Sequence, residues 1–283
     1  MEVLTLYVGQ GSLSVITGDR EAIIVDSNIP PQSDEHAEFM KAVLAQVLSG
    51  KEVVGLVLTG LDADHADPPG VAWVLRKYQP NWIMYPQYMK LTGTAGRVFR
   101  IIKEARTARA TTSRPLMRYP IRIDRMADRT LRNLSREWDI VAFSPHPANM
   151  LCSNNCSLVA KVVPKNRFFG FRYLITGDTE NDRWDGINET YGQELRAEVM
   201  AAPHHGSRNG TNARTLELVS PDIVVVNAGV NNPFGHPHDE AIALFAGVGA
   251  NVYSTHTGRS FRTSGHWWWG GTKEWSVTAL GGS

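Results

Sequence analysis

The sequence predicts a layered α/β fold that contains two β-sheets. Short apolar runs typical of β-strands occur in both halves of the chain, and stretches with helical periodicity lie between them. No internal repeat and no low-complexity linker divides the 283 residues, of which 42% are hydrophobic. A chain of this length and composition can bury a large core, so residues 1–283 are interpreted as one domain.

The individual elements follow from periodicity and from the turn residues between them. In the first half they are strands at 2–8, 13–18 and 21–27, a helix at 34–48, a strand at 52–60, a helix at 70–78 and a strand at 81–86. In the second half they are strands at 138–147, 157–163, 168–178, 198–207 and 222–229, a helix at 238–247 and strands at 251–258 and 259–264. Strands in both halves favour two similar half-structures over a helical bundle.

Charge and hydropathy narrow the class of protein. The 29 basic and 28 acidic residues nearly cancel, so any polyanion must be met by a local patch. No apolar run reaches the roughly 20 residues that span a bilayer, and the N-terminus lacks a signal-peptide pattern. These features predict a cytoplasmic protein without membrane contact. The two cysteines, Cys152 and Cys156, are predicted to be buried free thiols.

Two segments differ from the rest of the chain. A basic insert at about 93–128 contains nine Arg and Lys residues, among which Arg97, Arg100 and Lys103 recur every three residues. Such a helix face is either solvated or in contact with phosphates. The segment 265–283 contains three consecutive tryptophans, which cannot all face one side of a strand. At least one is therefore expected to meet solvent, a partner chain or a base.

Polar side chains follow predicted strands at four places in the chain. They are Asp62, Asp64 and His65 after the strand at 52–60, Asp178 in "LITGDTE", His204 and His205 in "APHHGS", and His236 and His238 in "FGHPH". Loops at the same ends of neighbouring strands can converge on one point. Imidazoles and carboxylates without thiolates suit Zn²⁺, Mn²⁺ or Fe²⁺, and such a cation activates water for hydrolysis.

Six motifs in order carry a resemblance to a known family. They are "VGQGS" with "IIVDS" (8–12 and 23–27), "LTGLDADH" (58–65), "NNCSLVAKV" (154–162), "LITGDTE" (174–180), "APHHGS" (202–207) and "NNPFGHPH" (231–238). Together they resemble the metallo-β-lactamase fold, and within it the hydrolase domain of the ComEC/Rec2 DNA-uptake proteins. The resemblance covers about residues 4–256, apart from the basic insert.

The resemblance implies a four-layer αββα sandwich with metal at the sheet edge and phosphodiester hydrolysis as its chemistry. Asp64, His65 and Asp178 correspond to ligands of one metal position, which His204 or His205 would complete. Asp26 resembles the aspartate that supports the metal loop.

The remaining matches concern substrate and catalysis. Asn155, Ser157 and Ser207 lie in matching motifs as candidate substrate-binding residues, beside the basic residues of the insert. Asp64 is a candidate catalytic residue, and so are His236 and His238, of which one resembles a phosphate-facing histidine.

Two departures from the family pattern weaken the second metal position. Gly60 stands where the family has a histidine ligand, so that position keeps only Asp62, Asp178 and Asn155. Ala201 replaces a lysine that is usual in this branch. The cofactor prediction is therefore one divalent ion, Zn²⁺ or Mn²⁺, in one well-formed site with a weakened neighbour.

Two function classes remain open from the sequence. The first is a metal-dependent phosphodiesterase that acts on DNA or RNA, or on a small phosphodiester. The second is a catalytically reduced subunit that binds a protein partner in a larger complex. Hydrolysis of a lactam or thioester by zinc is less consistent with the missing histidine at position 60.

Overall fold

The structure is a computed structural model that describes residues 1–29, 35–88, 92–122, 130–143, 152–166, 170–267 and 273–280. Two sheets pack face to face between two layers of helices. This arrangement confirms the predicted four-layer αββα sandwich.

The first sheet contains eight strands in the order β15-β14-β1-β2-β3-β4-β5-β6. In chain order they are β1 (Glu2–Thr5), β2 (Ser14–Thr17), β3 (Glu21–Val25), β4 (Glu52–Val57), β5 (Trp82–Gln87), β6 (Met117–Arg122), β14 (Ser260–Trp267) and β15 (Lys273–Leu280). Strands β3 to β6 run parallel, whereas the other pairs are antiparallel.

The second sheet contains seven strands in the order β13-β12-β11-β10-β9-β8-β7. They are β7 (Thr130–Leu131), β8 (Trp138–Phe143), β9 (Val159–Pro164), β10 (Tyr173–Ile175), β11 (Val199–Ala201), β12 (Ile223–Val226) and β13 (Asn251–Ser254). Strands β10 to β13 run parallel, so each sheet has a parallel half and an antiparallel half. This agrees with the predicted pair of similar half-structures.

Within the described residues, six helices form the outer layers. They are α1 (Glu35–Val47), α2 (Pro68–Lys77), α3 (Gly93–Arg109), α4 (Asn181–Tyr191), α5 (Ala213–Val219) and α6 (Asp239–Gly247). The first three cover the outer face of the first sheet, and the last three cover the second sheet. The apolar core between the sheets includes Ile23, Trp82, Tyr173 and Val225. Burial on both faces of each sheet explains why the central strands read as continuous apolar runs.

The basic insert is built into the fold. Its helix α3 packs on α2 through a face that includes Val98 and Ile102, and its strand β6 extends the first sheet as an edge strand. Most of the tryptophan cluster, namely Trp268, Trp269 and the side chain of Trp267, lies outside the described residues.

Two composition-based predictions can be compared with the structure. The two cysteines do not form a disulfide; Cys156 is buried as predicted, whereas Cys152 is half-buried. Among the described residues, no helix has the length and apolar character needed to cross a membrane.

Candidate metal centre

Four side chains converge where the parallel strands end. Asp64 and His65 follow β4, Asp178 follows β10, and His205 follows β11. One potential ligand atom from each of these residues lies within 4.8 Å of the others. Asp178 and His205 follow adjacent parallel strands of the second sheet, whereas Asp64 and His65 follow a parallel strand of the first sheet. The carboxyl ends of both sets of strands lie at one edge of the sandwich, so residues more than 100 positions apart meet here. We call these four residues the metal-ligand group.

The atoms of the metal-ligand group face one another as electron-pair donors. Nε2 of His65 lies 2.9 Å from Oδ1 of Asp178. Nε2 of His205 lies 3.3 Å from Oδ2 of Asp64 and 3.5 Å from Oδ1 of Asp178. His65 Nε2 and Asp178 Oδ1 are buried, and apart from these contacts within the group neither has a hydrogen-bond partner among the described residues. Two imidazoles and two carboxylates, whose facing atoms include buried ones without an outside partner, fit a divalent transition-metal ion.

The outer nitrogen of each histidine is held by a fixed acceptor. Asp26 accepts hydrogen bonds from the Thr59 backbone N–H at 2.7 Å and the Thr59 hydroxyl at 2.8 Å. Its Oδ2 also lies 2.9 Å from Nδ1 of His65. Nδ1 of His205 lies 2.7 Å from the carbonyl oxygen of Asn227. With Nδ1 as the donor in both rings, each Nε2 keeps its lone pair for a cation.

The charges of the metal-ligand group stabilise one another. Burial lowers the pKa of His65, but the carboxylates of Asp178 and Asp26 outweigh burial and hold it well above 6.5. Burial also lowers the pKa of His205, but the carboxylates of Asp178 and Asp64 outweigh burial and raise this pKa above its usual value. Burial raises the pKa of Asp178, whereas His65 and His205 hold it below its usual value. Without metal, the group is therefore a charged network that binds protons where a cation would bind.

Proton competition predicts the pH dependence of metal binding. Because a cation needs both imidazoles unprotonated and their pKa values are raised, apparent affinity should increase as pH rises through and above 6.5. The increase should be about tenfold per pH unit for each proton released. Competition titrations of Zn²⁺ against a chelator, between about pH 6 and about pH 8.5, measure this slope. A pH-independent affinity would contradict a site built on these histidines.

Comparisons with known proteins identify larger proteins with similar sequences. No protein-family model matches the chain. It is 24% identical over 257 residues to ComE operon protein 3 of Bacillus subtilis, covering 86% of this chain and 30% of that protein. It is 27% identical over 241 residues to Recombination protein 2 of Haemophilus influenzae, covering 84% of this chain and 25% of that protein. The chain thus spans between a quarter and a third of the length of these relatives.

A solved structure supports the fold assignment. A protein of Parabacteroides distasonis assigned to the metal-dependent hydrolases superposes with a TM-score of 0.50 at 15% identity. The superposition covers 89% of this chain and 93% of that one. The chain has a metallo-β-lactamase fold, and its sequence is similar to those of ComE operon protein 3 and Recombination protein 2.

Within this fold, the structure distinguishes the two adjacent histidines. His205 joins the metal-ligand group, whereas Nδ1 of His204 lies 3.3 Å from Oε1 of Glu180. Both residues take left-handed backbone conformations, with φ of 47° and 55°, at a cost of about 1–2 kcal/mol each. This turn directs the two rings apart, with centroids 6.3 Å apart and planes at 62°. His204 is therefore placed beside the group rather than in it.

Two donors expected for the second metal position make structural hydrogen bonds. Asp62 is absent from the metal-ligand group, and its backbone carbonyl accepts the N–H groups of His65 and Ala66 in a tight turn. The side-chain oxygen of Asn155 accepts the backbone N–H of Glu180 at 3.1 Å. The Asp62 backbone and the Asn155 side chain thus help to hold the loops around the site, and their roles as metal ligands remain predictions.

Two serines predicted to bind substrate also hold loops. The hydroxyl of Ser157 accepts the backbone N–H of Asp178 at 3.0 Å, which fixes a residue of the metal-ligand group. The hydroxyl of Ser207 accepts the backbone N–H of Asn209 at 3.3 Å, and Ser207 is buried. Their roles toward a substrate remain predictions.

His236 is the predicted catalytic histidine that lies closest to the group. Its ring centroid is 6.2 Å from that of His205 and 5.4 Å from that of His204. Burial, reinforced by the neighbouring histidines, lowers the pKa of His236 to about 4. The ring is therefore neutral at pH 7, and its Nδ1 is buried without a partner among the described residues. A neutral imidazole in this place can donate or accept one hydrogen bond.

His238 occupies a more structural position than His236. Its Nδ1 accepts a hydrogen bond from the backbone N–H of Arg208 at 3.0 Å, and the backbone N–H of His238 donates to the carbonyl of Gly206. The residue immediately precedes α6. The structure therefore favours His236 over His238 as the residue that faces a substrate.

Gly60 leaves room for a Cβ atom. The nearest atoms to a Cβ at this position would be the ring and Cβ of His65, at 3.5–3.6 Å, which is ordinary contact. We therefore expect Gly60→His to fold and to increase the divalent metal bound per chain by up to about one equivalent. Elemental analysis after loading with Zn²⁺ measures this, with Gly60→Ala as the control for the added Cβ. Equal metal content in both variants would show that the loop does not direct residue 60 toward a cation.

Two residues that organise the site escaped the sequence analysis. Thr59 connects Asp26 to the metal loop, and Glu180 contacts His204 while accepting a hydrogen bond from Asn154 at 2.9 Å. The sequence signal that could have identified them is position: Thr59 directly precedes Gly60, and Glu180 lies two positions after Asp178. Neither residue type is distinctive at the end of a strand, so spacing alone did not identify them.

Proposed function

We propose that this chain is a metal-dependent phosphodiester hydrolase that acts on nucleic acid. The observation that carries the proposal is the metal-ligand group with the neutral His236 beside it. The set of two imidazoles and two carboxylates favours Zn²⁺ or Mn²⁺. When bound, such an ion supplies Lewis acidity toward a phosphoryl oxygen and the attacking water.

The protein side chains supply orientation and charge. Asp64 is the most exposed member of the metal-ligand group, with 34% of its side chain accessible, so it meets incoming substrate. Because its imidazole is neutral at pH 7, His236 can donate a hydrogen bond to a phosphoryl oxygen without carrying a positive charge. Asp26 and the Asn227 carbonyl keep the two imidazoles fixed while substrate binds.

Nucleic acid is favoured as the substrate by the names of relatives and by charge. Similar proteins include Recombination protein 2 and, over 104 residues at 31% identity, Competence protein ComA of Neisseria gonorrhoeae. The exposed face of α3 presents Arg97, Arg100 and Lys103. The Arg97 guanidinium counteracts the burial that raises the pKa of Asp67, a residue two positions after His65. Arg97 therefore lies near Asp67, the N-cap residue of α2 that follows the metal loop.

The direct test is hydrolysis of an end-labelled oligonucleotide with added Mn²⁺ or Zn²⁺. We expect cleavage that requires the cation and stops with a chelator. Cation-dependent cleavage of small phosphodiesters alone would restrict the substrate class to those compounds. Absence of all phosphodiester cleavage in metal-loaded protein would contradict the proposal.

The basic face makes a separate prediction about binding. The triple substitution R97E/R100E/K103E should weaken binding of single-stranded DNA and lower the salt slope of log affinity by roughly 2, since each phosphate contact contributes about 0.7. Fluorescence anisotropy at several salt concentrations measures both quantities. The matched control R132E/R196E/R214E changes the same charge at exposed positions elsewhere. Equal losses in the two variants would mean that only net charge matters.

A second candidate function is a binding subunit with reduced catalysis. The observation that favours it is the placement of Asp62 and Asn155 outside the metal-ligand group, together with Gly60. In this function, the fold of this chain would serve as a scaffold to which a partner chain binds. This function predicts that Asp64→Ala leaves the biological effect intact, whereas the hydrolase predicts its loss.

A further inference from the structure

Four aromatic rings form a column that leads from solvent to the metal-ligand group. Phe234 stacks on His236 with centroids 5.7 Å apart and planes at 25°. His236 stacks on His205 at 6.2 Å and 22°, and His205 lies 5.3 Å from His65 at 33°. Phe234 is the outermost ring, and 61% of the residue is exposed.

The loop that carries Phe234 is held in place. The side-chain amide of Asn232 donates to the carbonyls of Gly229 and His236, at 2.9 and 2.6 Å. Its oxygen accepts the backbone N–H groups of Phe234 at 3.2 Å and His236 at 2.9 Å. One side chain thus makes four hydrogen bonds across this turn. The phenyl ring is therefore presented to solvent from a fixed backbone.

We propose that the outer face of Phe234 is a stacking platform for an unpaired nucleobase next to the reacting phosphate. The proposal rests on the proposed function and adds a base-binding subsite to it. A phosphate beside His236 and Asp64 would place a neighbouring base near the Phe234 ring, which lies one ring further out in the column. Aromatic side chains bind bases of any sequence in this way, because every base has a π-face.

The platform specifies single-stranded rather than duplex nucleic acid. In a duplex, both faces of each internal base are covered by neighbouring base pairs, so stacking on a side chain requires unstacking. A single strand can offer a base face without this cost, while its phosphates remain free for α3. The ring column and the basic face therefore favour the same substrate class.

The experiment uses a single-stranded oligonucleotide with one 2-aminopurine, a base whose fluorescence is quenched by stacking. With chelator present to prevent cleavage, wild-type protein should quench the probe, and Phe234→Ala should bind it about tenfold more weakly with little quenching. Phe39→Ala is the matched control. Phe39 is also exposed, at 47%, and stacks on a histidine, but that histidine contacts the Tyr7 carbonyl instead of the metal-ligand group.

Two further variants separate stacking from folding. Phe234→Tyr should keep quenching and affinity, whereas Phe234→Leu should lose quenching because it has no π-face. Wild-type behaviour of Phe234→Ala, equal losses in Phe234→Ala and Phe39→Ala, or equally strong quenching in a blunt duplex would overturn the platform. Hydrolysis without a Phe234 effect would reject the platform alone. A Phe234 effect without hydrolysis in the metal-loaded wild type would reject the proposed function and leave the platform standing.

Discussion

Asp178→Asn is expected to abolish both metal binding and hydrolysis. The Asp178 carboxylate is buried, 2.9 Å from His65 Nε2 and 3.5 Å from His205 Nε2. Asparagine keeps the volume but removes the charge that holds the metal-ligand group together. Loss of an outer-sphere partner already costs 10–100-fold in metal affinity, so loss of this ligand should cost more than about 100-fold. Hydrolysis should fall by about a thousandfold or more, since a metal ion supplies several kcal/mol to the barrier.

The matched control is Asp62→Asn in the same metal loop. Asp62 is also an aspartate, but it lies outside the metal-ligand group, so this variant should keep its metal and most of its activity. Elemental analysis and oligonucleotide cleavage on both variants give the comparison. If Asp62→Asn lost metal as completely as Asp178→Asn, the ligand set would have to include Asp62. If Asp178→Asn kept its metal, the four-residue site would be wrong.

Much of the fold could be predicted because its central strands are buried on both faces. Runs such as β3, β4 and β12 are apolar throughout, which periodicity detects with ease. Helix α4 was not predicted, because its sequence "NDRWDGINETY" is rich in residues with weak helix propensity. The helix forms because Trp184, Ile187 and Tyr191 lie on one face and pack on the second sheet. Tertiary packing, rather than propensity, determines its structure.

Edge strands were further elements that the sequence analysis missed. Strand β6 has exposed residues at alternate positions and contains Pro120, which removes a backbone donor. Such a sequence does not read as a strand, yet proline is tolerated where one side of the strand is unpaired. β6 is indeed the last strand of the first sheet. This segment is recognised as a strand only because it pairs with the neighbouring strand β5, and the sequence pattern of a single segment does not show such pairing.

The site was predicted at the level of loops but not of individual side chains. Sequence order placed Asp64, His65 and Asp178 at strand ends, and the structure brings these three together. The choice between His204 and His205 depends on two consecutive positive φ angles, which no residue type at these positions signals. Position along the chain therefore indicated where the site lies, whereas backbone conformation decided which histidine enters it.

Asp26→Ala should destabilise the protein and weaken metal binding at once. Asp26 is 2% exposed and accepts hydrogen bonds from the Thr59 N–H, the Thr59 hydroxyl and His65 Nδ1. Alanine leaves these donors buried without an acceptor, and a buried unpaired group costs about 1–3 kcal/mol. Residue 26 also has a φ of 59°, which costs alanine about 1–2 kcal/mol more. The free energy of unfolding should therefore fall by about 3 kcal/mol or more, and metal affinity by about 10–100-fold.

Asp26→Asn separates the two effects. Asparagine tolerates the left-handed conformation and keeps one oxygen that can accept the Thr59 N–H, so most of the stability should remain. Its amide group replaces the charged acceptor for His65 Nδ1, so metal affinity should still fall by roughly tenfold. Urea unfolding in chelator and Zn²⁺ competition titrations measure the two quantities independently. If Asp26→Asn bound metal as tightly as the wild type, the Asp26 charge would have no part in orienting His65, and its role would be limited to holding the Thr59 loop.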